Sequence, residues 1–199
     1  FHNQMEPFTD PLVRQALTYA IDRQAILDNA QLGRGLLANH PISPFLEWAY
    51  NDEVEGFPYD PERAAELLDE AGWGMGDDGV RAKDGQPLSI VLEVEAGNPA
   101  RQQTALFAQQ YWQDVGAQVE IRTSPFNDLL ARVRAGDEAD VQCYIMWYIT
   151  PPHPDVLGYY GCGQSLNTFH YCNPEVDRLL EEARGIADIE EQGEIYKQV

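Results

Sequence analysis

The residues best suited to chemistry lie together between Asp140 and Asp155, in the run Asp-Val-Gln-Cys-Tyr-Ile-Met-Trp-Tyr-Ile-Thr-Pro-Pro-His-Pro-Asp. Trp147 and Tyr148 offer flat faces that stack on a sugar ring or cover an apolar side chain; Thr150 brings a hydroxyl and His153 an imidazole. This is recognition chemistry rather than bond-breaking chemistry. Ordinary sheet packing explains Trp147 and Tyr148 too, and strand alternation sends neighbours to opposite faces, so one of the two is expected to meet a ligand. His153 could hold a metal or a ligand's polar edge. Only His2, His40 and His170 accompany it, at no metal-motif spacing, so a structural or solvent-exposed His153 is the simpler reading and no metal is expected.

Catalytic arrangements are missing from the sequence. Ser43, Ser89, Ser124 and Ser165 lie outside any Gly-x-Ser-x-Gly setting, and no glycine loop is built to cradle phosphate. Some carboxylate pair could stand at glycosidase separation, but sequence spacing does not show one. The chain is read as a non-enzyme without a cofactor.

The elements that must position these residues follow from hydrophobic period and punctuation. Val141, Cys143 and Ile145 alternate as a strand that Pro151-Pro152 ends abruptly, since proline cannot donate to a sheet ladder. Its carboxyl end is where open α/β sheets hold ligands. Upstream, Asp10-Pro11 starts a helix expected to run to about Ala30, and Asp60-Pro61 starts another that stops at Gly72. Residues 33–59 form a long connection of the kind that is functional or packed across a surface. The Asp-Gly turns between Gly74 and Gln86 suit a hairpin. Leu88, Ile90, Leu92 and Val94 alternate as a strand, followed by a helix from about Ala100 to Val115. A second strand carries Val119 and Ile121, and a short helix carries Leu129 and Val133. Helices are also expected from Asn173-Pro174 and from Ile189. The middle therefore reads strand, helix, strand, helix, strand: an α/β fold. Asn98 and Phe126 follow the first two strands and are candidates to face a ligand; loop capping and local packing explain them equally well.

Composition sets limits. With 13 basic and 33 acidic residues the net charge is −20, which argues against a nucleic-acid partner. No apolar run approaches the roughly 18 residues a membrane helix needs. The first residues, Phe-His-Asn-Gln-Met-Glu, lack a signal peptide's pattern, and the chain is expected to be a fragment of a longer protein. Cys162 and Cys172 flank a loop-like segment. A bridge between them would restrain it by roughly 2–3 kcal/mol and imply an oxidising compartment; two unrelated thiols fit the spacing as well. Cys143 reads as a small buried hydrophobe.

Several landmarks, in order, resemble the second lobe of the family 5 extracellular solute-binding proteins, which serve peptide, nickel and oligosaccharide ABC importers. They are Pro7-Phe8-Thr9-Asp10-Pro11-Leu12-Val13-Arg14-Gln15-Ala16-Leu17 with Tyr19-Ala20-Ile21-Asp22-Arg23, Tyr59-Asp60-Pro61-Glu62-Arg63-Ala64, Leu67-Leu68-Asp69-Glu70-Ala71-Gly72-Trp73 and Asp84-Gly85-Gln86-Pro87-Leu88. Arg134-Ala135-Gly136-Asp137, Met146-Trp147, and Asn173-Pro174-Glu175-Val176-Asp177 with Leu179-Leu180 complete the set. The resemblance implies one lobe, over residues 1–199, of a periplasmic-binding-protein type II two-lobed fold, with a mixed sheet flanked by helices. It also implies capture of a small polar solute (peptide or oligosaccharide class) between two lobes and delivery to the importer's permease. The expected setting is the extracellular side of the membrane or the periplasm, as a lipid-anchored monomer. Tyr144 and Trp147 become cleft candidates by family position, and some dipeptide binders carry a bridge like Cys162–Cys172. One departure stands out. Peptide binders place an Asp three residues after the strand-end Trp to hold the peptide's ammonium; here that residue is Thr150, which puts free-amino-terminus peptides in doubt. Asp155 or another acid would have to substitute. The alternative function is a ligand-sensing module of a transcriptional regulator built on the same lobe, which would carry a helix-turn-helix upstream.

Overall fold

The computed structural model describes residues 1–135, 140–146 and 152–199. Its chain forms two compact units, Phe1–Leu37 with Phe57–Met146, and Ala38–Gly56 with Trp147–Val199.

In the first unit, α1 (Pro11–Tyr19) opens as its Asp-Pro start predicts, with the Asp10 carboxylate accepting from Leu12 N–H at 2.8 Å. The helix expected to reach Ala30 breaks in two: α2 (Arg23–Ala30) has its own cap, Asp22, accepting from Ala25 N–H at 2.8 Å. The Tyr19 carbonyl that would continue the first helix instead accepts from Asp60 N–H at 2.9 Å, at the start of α3 (Pro61–Glu70). Docking of α3 thus overrides a periodic pattern that favours one long helix.

Where a hairpin is expected, three short antiparallel strands form: β1 (Gly74–Met75), β2 (Arg81–Lys83) and β3 (Gln86–Pro87). Asp84 and Gly85 both have positive φ, as a two-residue hairpin turn between β2 and β3 requires. Buried Arg81 ties this sheet to its surroundings. Its Nε donates to Val115 O at 2.9 Å and its Nη1 to Trp73 O at 2.6 Å.

The main sheet is parallel, in the order β5-β4-β6: β4 (Ser89–Glu95) lies between β5 (Gln118–Ser124) and β6 (Cys143–Ile145), with Leu92 opposite Ile121 on one side and Cys143 on the other. Among the described residues, parallel and antiparallel pairing therefore fall in separate sheets. Ile90, Leu92 and Val94 point into a core with Phe8, Leu17, Leu68 and Trp112, the last on α4 (Pro99–Asp114). Fully burying each such large apolar side chain contributes about 1.5–3 kcal/mol. Across the other face lies α5 (Phe126–Val133), whose Leu129 and Val133 cluster with Val141, Tyr144 and Met146. His2 N–H donates to Gln142 O at 2.8 Å, which sets the amino-terminal residues beside β6.

The second unit holds α6 (Leu157–Tyr160), α7 (Pro174–Arg184) and α8 (Ile189–Tyr196) around Ile42, Ala49, Leu180 and Tyr196. Part of the long connection, 38–56, packs here rather than spanning solvent. Gly193 makes that packing possible, since a Cβ there would lie 2.2 Å from Trp48 O. Cys162 and Cys172 are joined in a disulfide. Asn167 organises the loop inside it, donating to Gly161 O (2.9 Å) and Tyr171 O (2.6 Å) and accepting from Tyr171 N–H (3.1 Å).

Candidate functional site

The carboxyl ends of β4 and β5 are locked side by side, with Glu95 opposite Ser124 and Ala96 N–H donating to Ser124 O at 2.8 Å. Asn98 and Phe126 follow directly, so the two sequence candidates stand at neighbouring strand ends. Asn98 is the N-cap of α4, and its Oδ1 accepts from Arg101 N–H at 3.1 Å. Phe126 is the first residue of α5 and is half-buried. Tyr144, also half-buried, sits on β6 opposite Glu93 and packs toward α5.

The remaining candidates fall elsewhere. Trp147, Tyr148 and Thr150 lie outside the described residues. His153 belongs to the second unit, where it is exposed; its Nδ1 accepts from Asp155 N–H at 3.3 Å and its ring stands edge-on to Trp48 and Tyr196, with centroids 6.0 and 5.9 Å away. No group of His, Cys, Asp and Glu able to hold a metal ion occurs among the described residues.

Charged residues that sequence reasoning passed over dominate the strand ends. Glu93 is sealed beneath α5, where its carboxylate pairs with Arg132 at 2.9 Å and accepts from the Ser124 hydroxyl at 3.3 Å. Arg132 forks onto Asp140 as well, at 2.9 and 3.1 Å. Those hydrogen bonds, the Asp140 one first, push the Arg132 guanidinium further above its usual range, while Arg132 holds the Asp140 carboxyl below the usual one. Two residues further on, Glu95 pairs with Arg101 from the first turn of α4. The available signal was the strand itself: Val91, Glu93 and Glu95 share one face, which reads as solvated until α5 is laid across it.

The first unit also contains a mostly apolar cavity of about 430 Å³. Phe1, Leu27, Leu92, Trp112, Cys143 and Ile145 line it, and Gln31 and Thr104, 3.4 Å apart, add polar groups to its wall. Burial raises the Cys143 thiol above its ordinary range, which leaves it a poor nucleophile.

Comparison with known proteins identifies the setting. A family model described as "Bacterial extracellular solute-binding proteins, family 5 Middle" matches residues 1–167. The chain belongs to this family. Heme-binding protein A of Haemophilus influenzae is 33% identical over 204 residues, covering all of this chain and 35% of the relative. Oligopeptide-binding protein AppA of Bacillus subtilis is 30% identical over 205 residues, covering all of this chain and 37% of AppA. The structure of AppA with a nonapeptide superposes with a TM-score of 0.91, over the whole of this chain and 40% of that one. The chain thus spans a little over a third of the length of the curated relatives it matches. Its α/β architecture matches one portion of two-lobed periplasmic binding proteins, and the relatives are binding proteins rather than enzymes. Nothing in these likenesses supports the regulator alternative. No helix among the described residues is long and apolar enough to cross a membrane.

Proposed function

We propose that this chain is the second lobe of the extracellular solute-binding component of an ABC importer, not an enzyme. The protein containing it captures a small polar solute, of the peptide or oligosaccharide class, between two lobes and delivers it to the permease. The observation that carries this reading is the parallel sheet's carboxyl edge in a member of the solute-binding family. Asn98 and Phe126 sit there at adjacent strand ends, beside charged groups held in fixed pairs. Asn98, Phe126, Tyr144, Trp147, Tyr148, Thr150 and His153 remain the proposed solute contacts, with stacking and a few placed hydrogen bonds supplying affinity. Lobe closure acts as a population shift, effective because solute prefers the closed form. Lipid anchoring on the outer side of the membrane completes the reading.

Native mass spectrometry of the full-length protein, purified from its host without denaturation, tests it. A retained small polar solute, released on unfolding, is the expected result. A protein that carries no solute and gains no thermal stability from peptide or oligosaccharide libraries refutes the reading. The isolated chain, having only one lobe's contacts, is expected to fold and to bind solute weakly; micromolar binding by it would contradict a two-lobed site.

A further inference from the structure

The apolar cavity of the first unit has a fixed relation to the first residues. Phe1 lines it and packs on Phe8 and Trp112, with ring centroids 4.7 and 5.8 Å away. His2 N–H donates to Gln142 O at 2.8 Å, so Phe1 and His2 lie beside β6, the outer strand of the described parallel sheet. After His2 the chain turns away. Met5 N–H donates back to His2 O at 3.1 Å, Phe8 N–H donates to Met5 O at 2.8 Å, and Gln142 Nε2 holds Glu6 O at 2.9 Å. Beyond Gln142, the line of β6 therefore faces the direction from which the chain arrives at Phe1. The cavity lies along that same line, because Cys143 and Ile145 form part of its wall. A mostly apolar space of about 430 Å³ is out of keeping with a close-packed core, where voids larger than a water molecule are few. Its polar wall groups already meet each other, Gln31 Nε2 donating to Thr104 Oγ1 at 3.4 Å, so the space suits an apolar occupant.

We propose that this cavity is the seat of the polypeptide directly upstream of Phe1 in the full-length protein. That stretch runs antiparallel along β6 and places an apolar side chain in the cavity, completing the core of the first unit. The register follows from the one bond already made. In an antiparallel pair, a main-chain hydrogen bond joins residues that stand directly opposite each other. With His2 opposite Gln142, Phe1 falls opposite Cys143, and the second residue upstream of Phe1 falls opposite Ile145. Phe1, Cys143 and Ile145 all line the cavity, as that register requires. Side chains alternate along a strand, so the second upstream residue shares the inward face of Phe1 and the first upstream residue faces away. The occupant is at hand in a longer protein: the alignment with AppA takes in all of this chain but 37% of AppA. The inference is independent of which solute the protein captures.

The test is a disulfide scan in the full-length protein, in a Cys143→Ala background so that this buried thiol does not compete. One new Cys comes from Ile145→Cys and the other is placed at the second residue upstream of Phe1. These two positions form a non-hydrogen-bonded pair in the proposed register, where Cβ atoms stand close enough for a bridge. Mild oxidation is expected to link them within one molecule, read as the loss of two alkylatable thiols with the protein still monomeric. Moving the upstream Cys to the first residue before Phe1 should abolish the link. A link at the shifted position alone, or at neither position, overturns the proposal. A link between two molecules also overturns it and gives the cavity to a second copy. If the Cys variants fail to fold, single Asp substitutions in the otherwise unmodified full-length protein decide. An Asp at the second upstream position would be buried without a partner and should lower the melting temperature by several degrees, whereas one at the first should leave it nearly unchanged. Equal losses at the two positions, or a larger loss at the first, overturn the proposal.

Discussion

Arg81 permits the sharpest test of what holds the first unit together. Its guanidinium is nearly inaccessible, with 3% of the side chain exposed, and it serves two main-chain carbonyls that have left regular structure, Trp73 O after α3 and Val115 O after α4. Its ion pair with Asp69, at 2.5 Å, joins it to a carboxylate that is 62% exposed. The two contacts differ in worth. Removing a donor from a buried carbonyl leaves an unmet acceptor at about 1–3 kcal/mol, whereas an exposed ion pair contributes about 0–1 kcal/mol. Arg81→Met keeps the aliphatic stem and orphans both carbonyls, so a loss of about 3 kcal/mol is expected, allowing for partial access of water. Arg81→Lys can reach one carbonyl at a time and should cost about half of that, and Asp69→Asn less than about 1 kcal/mol. The assay is urea unfolding of the chain in a background where Trp48 and Trp147 are replaced by Phe, so that fluorescence reports Trp73 and Trp112 alone. An Asp69→Asn loss equal to that of Arg81→Met would refute the assignment of the energy to the carbonyls.

Further outcomes are expected in the second unit and, for Cys143, in the first. His40 is buried, its Nδ1 accepts from Ile42 N–H at 3.1 Å, and desolvation holds its pKa below the ordinary value. The folded state therefore prefers the neutral ring: that stability is present above the unfolded pKa, about 6.5, and is lost as pH falls below it. His40→Asn, which retains an acceptor, should flatten the melting temperature between pH 7 and the acid range, and an unchanged slope would contradict this. Reducing Cys162–Cys172, or replacing both with Ser, should destabilise this unit by about 2–3 kcal/mol in urea, and no change would show the loop to be held by Asn167 instead. Gly193→Ala puts a Cβ where Trp48 O lies 2.2 Å away, so α8 must shift at a cost of about 1–3 kcal/mol. Amide exchange at Ile195 and Tyr196 that stays at the wild-type rate would exclude that shift. Cys143, buried with a raised thiol pKa, should resist iodoacetamide in the folded chain and react on unfolding; rapid labelling of the native state would place it at an open surface.

Local signals carried much of the fold. Asp10-Pro11, Asp60-Pro61 and Asn173-Pro174 each start a helix, because an oxygen-bearing cap and a proline at the first helical position act within one turn and need no tertiary partner. The alternating strands were equally legible, since Ile90, Leu92 and Val94 could bury on one face only. The failures came where distant residues decide. Nothing between Pro11 and Ala30 announces that the Tyr19 carbonyl is taken by Asp60 N–H, yet that bond divides the helix. Likewise, the part of the 33–59 connection that joins the second unit depends on the absence of a side chain at Gly193, far along the sequence.

The same distinction governs the candidate site. Residue types announced a segment rich in stacking and hydrogen-bonding groups after Tyr144, and the family resemblance placed Thr150 where peptide binders carry an acid. Telling the acids of β4 apart required the fold, because Glu93 and Glu95 are equivalent by sequence: both are acidic, on one face of one strand, two residues apart. The fold separates them, holding Glu93 against Arg132 of α5 and Glu95 against Arg101 of α4. Chemical identity fixes what a carboxylate can bind, but burial and the partner already in place decide whether a solute can reach it.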